Sequence, residues 1–374
     1  MRVLHLITGL ETGGAETALS RLVPGLAAEG FEQRVVCMLR PGPLAAPIES
    51  AGVAVESLGM ERGLPTPRAL WRLVRILRSF SPHIVQTWLY HADFLGLLGV
   101  SLARVGTLVW NIRCADMDLS RYRRTTAWTV AACARLSRLP AAVIANSEAA
   151  REHHVRLGYR PRRFEIIPNG FDLDAMRPVP GAREALRQQI GAPEDARLVG
   201  MAARFDPMKG HEVFLAAVGE LVRQRGDVRF VLCGDGVDEE NAALAGLIGR
   251  VGLQGRVALL GRVADMAAFH SGLDVAVLSS HSESLPNAVG EAMACGVPCV
   301  VSDVGDARAL VGETGIVVPR GDASSLVRAM ADMLSLPESE RSERGLRARE
   351  RIAERYSLRV ATARQASLYR ELVG

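Results

Sequence analysis

The sequence predicts an α/β protein of two tandem domains, each built on a doubly wound parallel sheet, and three observations predict it. Its 374 residues are long for one domain and comfortable for two. A hydrophobic fraction of 48% with only 5% aromatic residues suits α/β layers better than a β-sandwich or a disordered chain. Short β-branched runs alternate with amphipathic stretches of helix length, the βα pattern of a parallel sheet covered on both faces.

In order, RVLHLI (2–7), QRVVCML (33–39), VAVESL (53–58), HIVQTW (83–88), TLVWNI (107–112), AAVIANS (141–147) and FEIIP (164–168) read as strands. The pattern breaks at PNGFDLDAMRPVPGA (168–182), where Pro, Asn-Gly and Asp cluster as turn residues do, and a linker is expected there. A second series follows: RLVGMAA (197–203), VRFVLCG (228–234), RVALLG (256–261), DVAVLSS (274–280), PCVVSD (298–303) and GIVVP (315–319). The expected domains are therefore residues 1–170 and 171–354, both Rossmann-like, with a final helix at 355–374. In such sheets ligands bind outside the carboxyl ends of the strands, so the chemistry is sought in strand-to-helix loops facing a central cleft.

Composition narrows the function classes. The longest apolar stretch, FLGLLGVSLA (94–103), is too short to span a bilayer, and MRVLHLITGL runs into a Gly-rich turn with no cleavage-site pattern. A cytoplasmic protein is expected. Six cysteines without CxxC spacing or clustered histidines read as reduced, mostly buried thiols rather than a metal site. Net charge is +4, divided as +8 over residues 1–170 and −4 over the rest. Arg68, Arg72, Arg75 and Arg78 stand at helical spacing with no acid among them, and Arg121, Arg123, Arg124, Arg135 and Arg138 form a second basic stretch. These are solvated helix faces or contacts for an anionic partner, with a membrane surface at the inner face of the plasma membrane favoured over nucleic acid.

Four loops carry candidate chemistry. TGLETGGAET (8–17) follows the first strand and opens a helix near Ala15, so N–H groups around Gly13 and Gly14 suit a phosphate, although a plain tight turn reads the same way. The spacing is not GxGxxG, which argues against a nicotinamide site. In RLVGMAARFDPMKGHEVF (197–214), Arg204 ends a strand and Lys209, the one lysine in the chain, stands at a helix start. A cation there opposes the helix dipole, so Lys209 serves something other than the helix. An arginine fork and an ammonium together match a diphosphate. CGDG (233–236) brings Gly234 and Asp235 to the end of the next strand, and SSHSESLPNAVGEAMACGVPCVVSD (279–303) sets Glu283 after a strand and Glu291 about one turn into a helix starting near Asn287. Two such carboxylates can accept hydrogen bonds from a polyhydroxylated ligand. His5 reads as core, His153 and His154 as helix surface, and His91, at a helix start, equally as a group lining an acceptor or as a satisfied, partly buried histidine.

RFDPMKG, CGDG and ESLPNAVGEAMACGVPCVVSDVG resemble, in order and spacing, the donor-binding motifs of the family 4 retaining glycosyltransferases of GT-B fold, and GGAE and IIPNGFD resemble that family's first-domain loop and linker. The resemblance spans essentially the whole chain. It implies that Arg204 and Lys209 hold a nucleotide diphosphate, Glu291 the ribose, Glu283 with Ser284, Leu285 and Asn287 the donor sugar, and the backbone at Gly13 and Gly14 a phosphate or the reacting sugar. It further implies a final helix crossing back to the first domain and a metal-independent transfer with retention, the leaving phosphate taking the acceptor's proton.

Two features depart from the pattern. Cys114 stands where many relatives carry a histidine, which makes Arg113 and Asp116 the substitutes to consider on the acceptor side, and ESLP replaces the commoner Glu-Gly-Phe-Pro. DMD (116–118) also resembles a metal-binding Asp-x-Asp, a triplet that arises by chance and belongs to a different fold. The expected activity is transfer of a sugar from a nucleotide-diphosphate sugar, UDP favoured, to a glycan or lipid-linked acceptor in cell-surface polysaccharide or glycoconjugate synthesis, with no metal cofactor. The alternatives are a UDP-sugar 2-epimerase of the same architecture and a non-enzymatic sugar-binding protein.

Overall fold

The computed structural model describes residues 1–11, 13–61, 66–115 and 124–374. Its first series runs β1 (Arg2–Ile7), α1 (Gly14–Ala28), β2 (Glu32–Cys37), α2 (Ala45–Ser50), β3 (Ala54–Ser57), α3 (Pro67–Phe80), β4 (Ile84–Trp88), α4 (Tyr90–Ala103), β5 (Thr107–Ile112), α5 (Arg124–Leu136), β6 (Ala142–Ala145), α6 (Glu148–Arg156) and β7 (Phe164–Ile166). The second runs α7 (Ala182–Gln189), β8 (Arg197–Ala202), a 3-10 turn (Pro207–Lys209), α8 (His211–Gln224), β9 (Val228–Cys233), α9 (Ala242–Arg250), β10 (Val257–Leu259), α10 (Met266–Ser271) and β11 (Val275–Leu278). It continues with α11 (Asn287–Ala294), β12 (Cys299–Ser302), α12 (Ala307–Val311), β13 (Ile316–Val318), α13 (Ala323–Ser335) and α14 (Glu338–Arg355), and α15 (Leu358–Val373) ends the chain.

The strands form two parallel sheets, ordered β3-β2-β1-β4-β5-β6-β7 and β10-β9-β8-β11-β12-β13. In each, the order reverses beside the first strand, between β1 and β4 and between β8 and β11, which is where a doubly wound sheet opens a crevice for ligands. Strands covered on both faces must be apolar at consecutive positions. In β1, Leu4 and Leu6 enter the cluster that holds Trp110, while Val3 and Ile7 enter the opposite one. His5 is fully buried among them, with its imidazole 3.2 Å from Gln33 Oε1.

Contacts divide the chain into two compact units, Met1–Gly170 with Leu358–Gly374, and Phe171–Ser357. The second unit runs to Ser357 rather than 354 because the chain closes on itself there: Phe171 N–H donates to Tyr356 O at 2.8 Å and Phe171 pairs with Ser357 as an isolated parallel bridge. Gly290 of α11 admits the Phe171 ring, which a β-carbon would strike. In the first unit α15 packs on α1, and the buried Gln86 of β4 accepts from Gln365 Nε2 at 2.9 Å and from the Tyr369 hydroxyl.

His153 and His154 overturn the expectation of a surface pair, since both are buried on α6. His154 Nε2 lies 2.8 Å from the Tyr90 hydroxyl and its ring stacks on that phenol, so the charged run REHHVR conceals a core-facing side. Five cysteines are buried and Cys114 is half-buried, all with free thiols.

Candidate active site

Past the end of β8, Asp206 builds the loop. Its Oδ1 accepts the Met208 N–H at 2.8 Å, capping the 3-10 turn that ends in Lys209. Gly210 follows at φ 66°, and a β-carbon there would collide with Ser279 O, so only glycine lets this loop press against the end of β11. Ser279 Oγ donates to Gly210 O at 2.9 Å and to Lys209 O at 3.2 Å, which fixes the loop. Lys209 thus precedes α8, which begins at His211, and projects toward the neighbouring strand's loop rather than joining the helix.

Its ammonium donates to Glu283 Oε1 at 2.6 Å, and Ser280 Oγ donates to the same oxygen at 2.8 Å. The pair is largely withdrawn from solvent, with side chains 21% and 12% exposed. Arg204 is 62% exposed and closes on Asp206 Oδ2 through Nε at 3.2 Å and Nη2 at 3.1 Å. Burial alone would raise the Asp206 carboxyl, but the Met208 N–H, Arg204 and Lys209 together hold it below its usual range. Both cations at this crevice are therefore held by the protein's own carboxylates.

The other residues singled out in this half stand on adjoining loops. Gly234, at φ 146°, passes against Ala203 O, where no β-carbon fits, and Asp235 O accepts the Phe205 N–H at 2.8 Å. The Asp235 side chain turns to Arg262 at 2.9 Å. Ser284 O accepts the Asp306 N–H at 2.9 Å, Leu285 is buried, Asn287 opens α11, and Glu291 sits half-buried one turn on. Sequence reasoning missed Asp206, Ser280 and the pairing of His281 Nε2 with Glu212 Oε1 at 2.6 Å. The Asp-Pro step of RFDPMKG was a readable signal for the first, because Asp before Pro starts a turn.

In the first unit Gly13 caps α1 and Gly14 opens it. The Glu16 carboxylate folds back on this helix start; burial raises its pKa, against backbone N–H groups of Glu16 and Ala15 and the Arg113 charge. Arg113 donates to Asn111 Oδ1 at 3.2 Å and to Asn169 Oδ1, and its guanidinium lies 5.2 Å from the Trp88 ring centroid. Burial brings its pKa down to about 10, so it stays cationic at neutral pH. The neighbouring Cys114 thiol is pushed up to about 11 by burial, leaving it an un-ionised group and a weak proton carrier. His91, second residue of α4, is half-buried and its pKa is lowered by burial. Asp116, like the rest of DMD, lies outside the described residues. Among the described residues no three His, Cys, Asp or Glu side chains gather as metal ligands.

Two family models match in tandem: Glycosyltransferase Family 4 over residues 12–175 and Glycosyl transferases group 1 over residues 196–335. Among curated relatives, a D-inositol 3-phosphate glycosyltransferase of Segniliparus rotundus is 27% identical over 67% of this chain and 56% of its own length. One of Kineococcus radiotolerans is 30% identical over 56% of this chain and 52% of its own. The chain thus spans about half the length of the curated relatives it matches. Two solved structures share the fold end to end. Anabaena Alr3699/HepE in complex with UDP-glucose superposes with a TM-score of 0.85 at 22% identity, covering 99% of this chain and 100% of that one. A sucrose-phosphate synthase of Thermosynechococcus elongatus gives 0.81 at 21% identity, covering 100% and 99%. With two doubly wound parallel sheets and both family models matched in the expected order, the chain belongs to the family 4, group 1 glycosyltransferases of GT-B fold.

Proposed function

We propose that this chain is a retaining, metal-independent glycosyltransferase that moves a sugar from a nucleotide-diphosphate sugar, UDP favoured, to a glycan or lipid-linked acceptor. The observation that carries the reading is the placement of two cations, Arg204 held by Asp206 and Lys209 held by Glu283, on the loops where the second sheet reverses its strand order. Open parallel sheets bind ligands there, and this one offers a fork and a point charge of the kind a diphosphate requires. Structural likeness to a protein solved with UDP and with UDP-glucose favours uridine as the base.

In this reading the donor's diphosphate takes Arg204 from Asp206 and Lys209 from Glu283. Glu283, released, accepts hydrogen bonds from the sugar hydroxyls, and Glu291 accepts from the ribose. The bond from the anomeric carbon to the β-phosphate oxygen breaks while the acceptor oxygen bonds the same face of that carbon. The acceptor's proton passes to the departing phosphate oxygen. Negative charge grows on that phosphate during the step, so Lys209 and Arg204 stabilise the transition state more than the bound donor, which is the condition for catalysis. Two fixed cations can supply the neutralising charge otherwise given by a divalent ion. In the first unit, the N–H groups at Gly13 and Gly14, with His91 and cationic Arg113, are the groups available to the acceptor or the reacting sugar.

A membrane-borne acceptor is supported by the first unit's surface. On α3, Arg68, Arg75 and Arg78 are exposed beside Trp71, itself 61% exposed with the Arg75 guanidinium 5.1 Å from its ring centroid. Leu102 at the end of α4 and Trp128 of α5 are also exposed. Basic and aromatic side chains together favour an anionic lipid surface, and among the described residues no helix is long and apolar enough to cross a bilayer. The test is mass-spectrometric detection of glycoside formed from UDP-sugars in EDTA, with inositol phosphate and lipid-linked glycans as acceptors, and proton NMR of the product's anomeric configuration. Product that needs acceptor and keeps the donor's anomeric configuration supports the proposal; donor turnover without acceptor favours the epimerase alternative.

A further inference from the structure

At the opposite end of the second sheet's central strands, where β8 and β11 begin, three arginines from three elements converge on one buried carboxylate. Asp274, fully buried just before β11, has its Oδ1 3.3 Å from Arg197 Nη1, 3.2 Å from Arg341 Nη2 and 3.8 Å from Arg183 Nη2. Its Oδ2 is occupied by the Leu198 N–H at 2.9 Å. The second acid, Glu338 at the start of α14, is 59% exposed and reaches Arg183 at 2.9 Å and Arg197 at 3.9 Å. Asp227, the remaining acid near Arg197, is held by Arg225 at 2.8 Å.

The charges do not balance. Three guanidiniums face one buried carboxylate and one solvent-exposed one, although the Arg341 side chain is only 3% exposed. The donors do not balance either, for among the described residues Arg183 Nε is buried without an acceptor. Next to it opens a cavity of about 170 Å³, lined by Arg183, Arg341, Asp274, Ser271, Ser342 and Cys295 among others. A water occupies about 30 Å³ of liquid, so this space holds several waters or one tetrahedral oxyanion. A purely structural ion-pair network would pair its charges and close its voids.

We propose that this cluster is a binding site for a phosphate group, free or as a small phosphate ester, distinct from the Arg204–Lys209 crevice at the other end of the same strands. The phosphate enters the cavity beside Arg183 and Arg341, supplies an acceptor to Arg183 Nε and displaces the Glu338 carboxylate from Arg183. Bidentate guanidinium contacts make arginine the suited residue for this ligand. Binding joins α7 and α14 beside the start of β11, so it stiffens the base of the strands that end in the candidate active site.

Calorimetric titration of the full chain with inorganic phosphate, and in parallel with glycerol phosphate, tests this. The titrations are run in a Lys209→Ala background so that the crevice does not contribute. Glu338→Gln removes the competing carboxylate and is expected to tighten binding by roughly threefold, the scale of an exposed ion pair. Arg183→Gln, a partly exposed change checked for an unaltered melting temperature without phosphate, is expected to weaken it by about tenfold or more. Preference for inorganic phosphate identifies the free anion, and equal or tighter binding of glycerol phosphate identifies an ester; either supports the site. Loss of all binding in the Lys209→Ala background, or affinities unmoved by Glu338→Gln and Arg183→Gln, overturns it.

Discussion

Asp206→Asn should make the protein bind its nucleotide more tightly, an outcome that general damage to the fold does not produce. In the structure Asp206 has two tasks, one for each oxygen: Oδ1 caps the turn through the Met208 N–H, and Oδ2 receives both Arg204 contacts. Asparagine keeps the first and replaces the second with an amide NH₂ that repels a guanidinium. Arg204 is 62% exposed, so its contact with Asp206 is a surface ion pair, worth about 0.2 to 1 kcal/mol. A diphosphate must displace that contact before it can use Arg204. Removing the competitor should lower Kd for UDP by about 1.4-fold to 5-fold, and the loss of repulsion between the carboxylate and the phosphates acts in the same direction. Calorimetry at low and at high salt is the assay, and the gain should shrink as salt screens both terms. Asp206→Ala, which also removes the cap, should instead lose about 1 kcal/mol of stability. Unchanged or weaker UDP binding by Asp206→Asn, with the melting temperature preserved, would refute the idea that Asp206 and the diphosphate compete for Arg204.

Other outcomes follow from the same geometry. Gly210→Ala should lose nucleotide binding and cost at least about 1 to 2 kcal/mol in urea unfolding, since φ is 66° and the new methyl collides with Ser279 O. Burial lowers the pKa of His270 from 6.5 to about 4, as it does for His5, His154 and His211. Each ring stays neutral in the fold down to about pH 4 but takes a proton near 6.5 once unfolded, so the unfolded chain binds more protons between those values. Stability is therefore complete above about pH 6.5 and falls as the pH drops toward 4. His270→Phe should flatten that slope by up to about 1.4 kcal/mol per pH unit, measured as urea-unfolding free energy at a series of pH values. A slope equal to that of the parent chain would mean His270 is already protonated in the fold.

The sheets were legible because strands covered on both faces leave long apolar runs, and β1, β8 and β9 fall within the segments expected for them. Lys209 was legible because it is the one lysine in the chain, set where a helix does not favour a cation. What the sequence concealed depends on proximity in space. Glu283 stands 74 positions from Lys209, and only the approach of the β8 and β11 loops makes it that lysine's partner. The arginines at 183, 197 and 341 lie on three separate elements with Asp274 between them, so no local motif announces a cluster. His154 misled because its neighbours in REHHVR are charged, while the 3.6-residue repeat turns its ring toward Tyr90. Cys114 gave a departure from the family pattern without its meaning, and the half-buried Arg113 beside it gives that departure a physical setting.

Melting the chain in EDTA with UDP, GDP and ADP, alongside Lys209→Ala, tests whether Lys209 and Arg204 form a metal-free diphosphate site. Such a site raises the melting temperature by several degrees with UDP, for ligand at about a hundred times its Kd, and the rise is lost in the variant. No shift with any nucleotide, or one that requires added metal and survives in Lys209→Ala, would contradict it.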